Sequence, residues 1–264
     1  MKILSVITAT YNSCQTLQRL IDSMRKSKQQ NIEWIVIDGN STDGTLDILR
    51  TADDVIDTTI SEDDNGIYDA WNKGLDLCSG EYICFIGSDD YISEDYFDIA
   101  LSAIDGIHNV IGLKVQLFDN DGPKQLLHEV DWKKPWNYPI DCGFHHQGTL
   151  YHNNLFKFNK FNSEYKILGD AEFNIRIADQ LIPKIIISEK PALYFFMEGV
   201  SSSKKNILNI YDEKLRIMNS SRYKYLEAYI EIFILVTKKN IRIKMLNSQK
   251  LFKKAKSIIF GRCL

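Results

Sequence analysis

The sequence predicts an α/β protein with a mostly parallel central sheet flanked by helices, followed by a basic helical tail. Three observations carry this. Strand-length apolar runs alternate with single helical segments from residue 2 to residue 86. Each run ends in a short polar turn, and the composition changes at Lys204. Strands separated by single helices imply right-handed βαβ units and hence a parallel sheet. In open sheets of this kind ligands bind beyond the carboxyl ends of the strands, so the polar turns are where chemistry is expected.

Lys2 to Thr8 reads as the first strand. Its start superficially resembles a signal peptide, but the apolar stretch is short and lacks a processing site. Cys14 to Lys28 carries Leu17, Leu20, Ile21 and Met24 at helical spacing, with Ser13 as N-cap. Ile32 to Ile37 is a second strand ending at Asp38, Gly39 to Gly44 a turn, and Thr45 to Arg50 a short helix. Val55 to Ser61 is a third strand, Ile67 to Leu77 a helix and Tyr82 to Ile86 a fourth strand. The first glycine is Gly39, so no glycine-rich loop follows the first strand. That removes the dinucleotide fingerprint and the P-loop, and it weakens a nucleotidyltransferase.

The strand ends carry the candidate chemistry. Thr8-Ala9-Thr10-Tyr11-Asn12 sets an aromatic ring beside a polar turn, where a base could stack, and Asp38 could accept a pyrimidine N–H. The adjacent carboxylates of Cys84-Phe85-Ile86-Gly87-Ser88-Asp89-Asp90-Tyr91 are either a site for a hard divalent cation or caps for a helix starting near Ser93. Further on, Val110 to Leu117 reads as a strand and Phe118 to Asp141 as a polar loop region. Its Trp132 and Trp136 are a sugar platform or a local packing cluster. Phe144-His145-His146-Gln147-Gly148 precedes a short strand, Thr149 to Tyr151. Asp170 lies just ahead of a helical pattern of Phe173, Ile177 and Leu181. Lys184 to Ser188 and Ala192 to Met197 are two more strands.

In order and spacing, Ile7-Thr8-Ala9-Thr10-Tyr11-Asn12, Trp34-Ile35-Val36-Ile37-Asp38-Gly39-Asn40-Ser41-Thr42-Asp43-Gly44-Thr45 and Gly87-Ser88-Asp89-Asp90 resemble a family 2 glycosyltransferase. The stretch Ser61 to Gly74 resembles bacterial members that build surface polysaccharides, O-antigen among them. The resemblance covers roughly residues 1 to 200 and implies the GT-A nucleotide-diphospho-sugar transferase fold. It also implies an inverting enzyme that moves a hexose or N-acetylhexosamine from a UDP-sugar to a saccharide acceptor. By it, Ala9, Tyr11 and Asp38 hold the uridine, Asp64 helps close the pocket, and Ser88 and His146 line the substrate site. Asp89 and Asp90 occupy the place of the D-x-D motif for Mn²⁺ or Mg²⁺, with Gly87 where many members have the first Asp. Asp170 is the expected general base, with Glu172 as its competitor, and Glu198 to Ser201 the loop that closes over the donor. Lys73 is an auxiliary cation or a surface lysine. The rival classes are a nucleotidyltransferase and a non-catalytic sugar-binding module.

The 264 residues divide into an expected catalytic domain, 1–203, and an extension, 204–264. Within the domain, 1–117 is the nucleotide-sugar half and 118–203 the acceptor half. The extension holds 15 Lys+Arg against 4 Asp+Glu, while the whole chain has a net charge of −3. Lys253, Lys254 and Lys256 beside Leu251, Phe252, Ile258 and Ile259 fit a helix lying on an anionic membrane near a lipid-linked acceptor, the alternative being a packing helix or a dimer element; no nucleic-acid partner is expected. Five scattered cysteines without a C-x-x-C pair fit a reducing cytosol. No apolar run reaches the roughly 20 residues of a membrane span. The expected location is therefore cytoplasmic, peripheral on the inner face of the membrane.

Overall fold

The computed structural model describes residues 2–127, 145–186, 188–197 and 206–220. The first part alternates as expected: β1 (Leu4–Thr10), α1 (Leu17–Ser27), β2 (Ile32–Asp38), α2 (Thr45–Arg50), β3 (Thr58–Ser61), α3 (Ile67–Leu75) and β4 (Tyr82–Phe85). There follow β5 (Tyr91–Ile92), α4 (Tyr96–Ala103), β6 (Val110–Gly112), β7 (Val115–Asp119) and β8 (Gly122–Leu127). The remainder is β9 (Thr149–His152), α5 (Gly169–Arg176), β10 (Pro183–Ile185), β11 (Leu193–Phe196) and α6 (Ile207–Ser220).

Seven strands form the main sheet in the order β10-β6-β9-β4-β1-β2-β3. Only β9 runs antiparallel to its neighbours, β4 and β6. The pleat sends alternate side chains to opposite layers. Leu4 and Val6 of β1 pack with Leu17, Leu20 and Met24 of α1, while Ile7 packs with Tyr68 and Trp71 of α3. Helix α3 can approach so closely because residue 74 is glycine: a Cβ there would lie 2.7 Å from Ile7 Cγ2. A second sheet, β5-β11-β7-β8, stands beside the first.

Several expectations are corrected. Helix α1 begins at Leu17, with Thr16 as N-cap, because the Ser13 carbonyl accepts the amides of Thr16 and Leu17 in a preceding turn. The expected strand from Val110 to Leu117 is two strands in different sheets. The chain leaves the first sheet at Leu113-Lys114, where the Lys114 ammonium donates to the carbonyls of Ser188 (2.9 Å) and Glu189 (2.7 Å). The expected polar loop opens instead with the β7–β8 hairpin. Its Trp132 and Trp136 lie outside the described residues, as do Glu198 to Ser201 and the tail beyond Ser220. Helix α6 belongs to the first compact unit of the chain, Met1–Lys224, so the boundary expected after residue 203 falls inside that unit. Among the described residues no helix is long and apolar enough to cross a membrane.

Candidate active site

The carboxyl ends of β1, β2 and β3 meet in register, Thr10 opposite Asp38 and Asp38 opposite Ser61. Asp38 is completely buried. It accepts from Thr10 Oγ1 (2.8 Å), Ser41 N (2.9 Å), Ser41 Oγ (2.6 Å) and Ser61 Oγ (2.8 Å). Burial alone would raise its pKa, but these donors outweigh it and hold the carboxyl below its ordinary value. Because a carboxylate offers about four lone-pair sites, a bond to a base would require Ser41 or Ser61 to turn its hydroxyl away.

The rest of the Gly39 to Thr45 turn laces two loops together. Asn12 N donates to Ser41 Oγ (2.8 Å), Ser13 N to Thr45 Oγ1 (2.7 Å) and Cys14 N to Asp43 Oδ2 (3.1 Å). In return, Thr42 N donates to Asn12 Oδ1 (3.0 Å). Asn12 and Asn40 take left-handed backbone conformations, φ 50° and 62°, which asparagine tolerates better than most residues. The result presents Tyr11 to solvent, 68% exposed. Gly39 lets Asp64 and Tyr11 approach its backbone: a Cβ there would lie 2.6 Å from Asp64 Oδ2 and 3.3 Å from the Tyr11 ring. Half-buried Ala9 is the penultimate residue of β1. Tyr11, Gly39 and Asp64, 53 residues from first to last, therefore lie against one another.

The Gly87–Asp90 turn separates its two carboxylates. Asp90 is fully buried, accepting from Phe196 N (2.9 Å) and Gly87 N (3.1 Å), which ties β11 to the end of β4. Burial, then the neighbouring Asp89 carboxylate, raises its pKa well above normal. Asp89 is half-buried, and no other side chain among the described residues donates to it. Burial raises its pKa too, against the pull of Arg19. Arg19, which the sequence did not single out, donates to the Asp89 carbonyl. Its guanidinium sits 4.7 Å from the Phe118 ring centre and 5.3 Å from that of Phe196. Ser88 Oγ meets Ser13 Oγ at 2.9 Å, joining this turn to the Tyr11 loop. Neither aspartate caps α4, whose N-cap is Asp95.

Among the described residues no three His, Cys, Asp or Glu side chains cluster as a ready metal cage. A Cβ at Gly87 would lie 2.8 Å from a carboxylate oxygen of both Asp89 and Asp90, so a third carboxylate does not fit the turn as it stands. One open carboxylate, Asp89, beside the Ser88 hydroxyl suits a cation completed by phosphate oxygens and water, the usual binding mode of Mg²⁺.

Asp170 lies within the first turn of α5, not ahead of it, because the helix starts at Gly169 with Leu168 as N-cap. The Tyr68 hydroxyl has one proton to share between the Ile167 carbonyl (2.7 Å) and Asp170 Oδ1 (3.1 Å). Burial raises the Asp170 pKa, against the Ala171 amide and the Tyr68 hydroxyl. His145 faces it electrostatically and is itself pushed down to about 4, first by burial. Glu172, in the same turn, is spent on Arg176, with Oε1 at 2.8 Å from Nε. His146 sits deeper than a lining residue would. It is 5% exposed, stacked on Trp71 (4.7 Å) and Phe85 (5.0 Å), with Nδ1 3.2 Å from the Tyr151 hydroxyl. Lys73 is no free cation either, since it pairs with Glu62 at 2.8 Å and donates to the Asp63 carbonyl at 2.7 Å.

Comparison with known proteins places this edge in context. Residues 5–169 match the family model described as glycosyl transferase family 2. A PGL/p-HBAD biosynthesis glycosyltransferase of Mycobacterium bovis is 29% identical over 187 residues, 65% of this chain and 68% of that protein. The putative teichuronic acid biosynthesis glycosyltransferase TuaG of Bacillus subtilis is 34% identical over 96 residues, covering 35% and 38%. Among solved structures, S. aureus TarS 1–349 in complex with UDP-GlcNAc superposes with a TM-score of 0.66 at 22% identity, covering 84% of this chain and 68% of that one. The mannosyltransferase PcManGT of Pyrobaculum calidifontis, in complex with GDP-Man and Mn²⁺, gives 0.56 at 20%, covering 70% and 55%. The chain thus spans about two thirds of the TarS fragment, 66% in its structure without ligand. The architecture is the GT-A glycosyltransferase fold.

Proposed function

The chain belongs to glycosyl transferase family 2, and on that premise we propose that it is an inverting transferase. It moves a hexose or N-acetylhexosamine from a UDP-sugar to a saccharide acceptor, lipid-linked, during surface polysaccharide assembly in the cytoplasm. The observation that carries this reading is a pair of features. An exposed Tyr11 stands beside Gly39 and Asp64, and a sequestered carboxyl, Asp170, held against Tyr68, has its pKa raised by burial. The TarS complex with UDP-GlcNAc and the polysaccharide-related relatives support the donor and acceptor classes.

The roles follow from the geometry. The uracil ring stacks on Tyr11 beside Ala9, with Asp64 helping to close the pocket, and Asp38 supports both loops from behind. Asp89 and Ser88 would hold Mn²⁺ or Mg²⁺, which when bound neutralises the diphosphate that leaves. Asp170 removes the proton from the acceptor hydroxyl as that oxygen attacks the anomeric carbon from the face opposite the diphosphate, inverting the centre. Its raised pKa suits a base, since proton transfer is most effective when the pKa approaches the working pH. Tyr68, kept protonated by burial and by Asp170, shares its one proton between the Ile167 carbonyl and one Asp170 oxygen, leaving the other oxygen for the acceptor. The polar ends of the strands, rather than a glycine-rich loop, receive the nucleotide.

The test is UDP release from a panel of UDP-sugars with Mn²⁺ and a saccharide acceptor. Turnover with one UDP-sugar is expected. Pyrophosphate release from a nucleoside triphosphate would make the protein a nucleotidyltransferase, and binding without turnover a sugar-binding module.

A further inference from the structure

Residues 166–168 lead directly into the helix that carries Asp170, and their three amides end on one side chain from another part of the chain. Glu213 of α6 is 3% exposed. Its Oε1 accepts from Lys166 N at 2.7 Å, and its Oε2 accepts from Ile167 N at 3.0 Å and Leu168 N at 2.8 Å. Three successive backbone amides converging on one carboxylate form an anion nest filled by the protein itself. The same segment is held from the opposite side, where Tyr68 OH donates to the Ile167 carbonyl at 2.7 Å. Lys166, at the start of the segment, donates through Nζ to the Asn65 carbonyl in the loop next to Asp64. Glu213 lies beyond the residues matched by the family model and in the stretch that composition alone assigns to the tail.

We infer that Glu213 is a positioning residue for sugar transfer: it fixes the 166–168 segment so that Asp170 is delivered at the acceptor hydroxyl. This rests on Asp170 as the base. Glu213 touches neither substrate nor reacting atoms, and α6 packs through Leu215 and Ile217 into the core beneath. An amide in place of the carboxylate offers one acceptor oxygen where two now serve three donors, so at least one amide loses its partner. The Asp170 carboxyl then samples positions away from the acceptor, and misplacements on the order of 1 Å cost about 100-fold in rate. Tyr11 and Gly39 follow β1 and β2, and the loop of Asp64 meets the segment through the Lys166 side chain rather than through these three amides.

The experiment compares full-length wild-type protein with Glu213→Gln, Glu213→Asp and Asp170→Asn, using UDP-sugar with Mn²⁺ and UDP binding by calorimetry. In Glu213→Gln, kcat should fall about 10- to 100-fold, with KM for the UDP-sugar and the UDP affinity within about twofold of wild type. Glu213→Asp, which keeps both oxygens on a shorter stem, should fall between the two. It carries the test if Glu213→Gln does not fold. A normal kcat in a folded Glu213→Gln beside a dead Asp170→Asn overturns this inference alone. Parallel loss of kcat and UDP affinity also overturns it, because general destabilisation would then suffice. An active Asp170→Asn overturns the base assignment and this inference with it.

Discussion

Asp89 and Asp90 are adjacent in sequence and opposite in circumstance, so alanine at each should do different damage. Replacing Asp90 leaves the amides of Gly87 and Phe196 facing a buried space without their acceptors, now at 3.1 and 2.9 Å. Each such amide costs about 1–3 kcal/mol. Part of that is returned because Asp90 itself is buried at a cost, which its raised pKa registers. A net loss of about 2–4 kcal/mol remains. In a chain of this size 1 kcal/mol moves the melting temperature by roughly 2–4 °C, so Asp90→Ala should melt about 5–15 °C below wild type. Asp89→Ala removes a carboxylate that accepts from no other side chain among the described residues, and its melting temperature should stay within about 2 °C. It should nonetheless lose Mn²⁺-dependent transfer. Thermal melts without added metal, followed by UDP-release assays across a Mn²⁺ series, separate the two. An Asp90→Ala protein that melts like wild type would refute the latch, and Asp89→Ala with unchanged metal-dependent turnover would refute the cation site.

Five shorter predictions concern the other residues named above. Tyr11→Ala should weaken UDP binding roughly 5- to 100-fold by calorimetry, since aromatic–base stacking contributes about 1–3 kcal/mol, while the melting temperature is unchanged. Gly39→Ala places a methyl 2.6 Å from Asp64 Oδ2, so it should lower UDP affinity with little effect on stability. Asp170→Asn should keep UDP binding and lose about 10²- to 10⁴-fold in transfer. In the wild type the base acts only when deprotonated and burial raises its pKa, so activity should be lost as pH falls through a value above the ordinary carboxylate range, near 4. An acid limb below that range would contradict the assignment. Truncation after Lys224 should leave folding and UDP binding intact, and should abolish sedimentation with anionic vesicles if the basic tail is the membrane contact.

Much of the nucleotide side was legible because its information is local. The runs ending at Thr10, Asp38 and Ser61 pair in register, so residues closing successive strands become neighbours without further assumptions. Strand and helix signals failed where a long-range bond redirected the chain. Val110 to Leu117 reads as one strand until the Lys114 ammonium anchors the backbone at Ser188 and Glu189, 74 and 75 residues away. Asp170 reads as lying just ahead of its helix; the structure puts it in the first turn, with Leu168 as N-cap, its amide bound by Glu213.

Prominence in the sequence and closeness to the chemistry prove to be different properties. The most recognisable stretch, Asp38 to Thr45, spends Asp38, Ser41, Asp43 and Thr45 on backbone amides and hydroxyls of its own two loops. A turn needs short acceptors at fixed offsets to hold such a network, which makes the stretch recognisable and uses up its side chains. Tyr11 does the opposite: it bonds little and projects, so one aromatic letter would carry the proposed stacking contact. The groups that orient the expected base come from farther off. Tyr68 is 102 residues from Asp170, and Glu213 is 45 to 47 residues from the amides it gathers. Neither has a motif, since a tyrosine on a helix and a glutamate on a helix of balanced charge are ordinary residues. Only the fold, by bringing α3 and α6 to the two sides of one short segment, makes them part of the site.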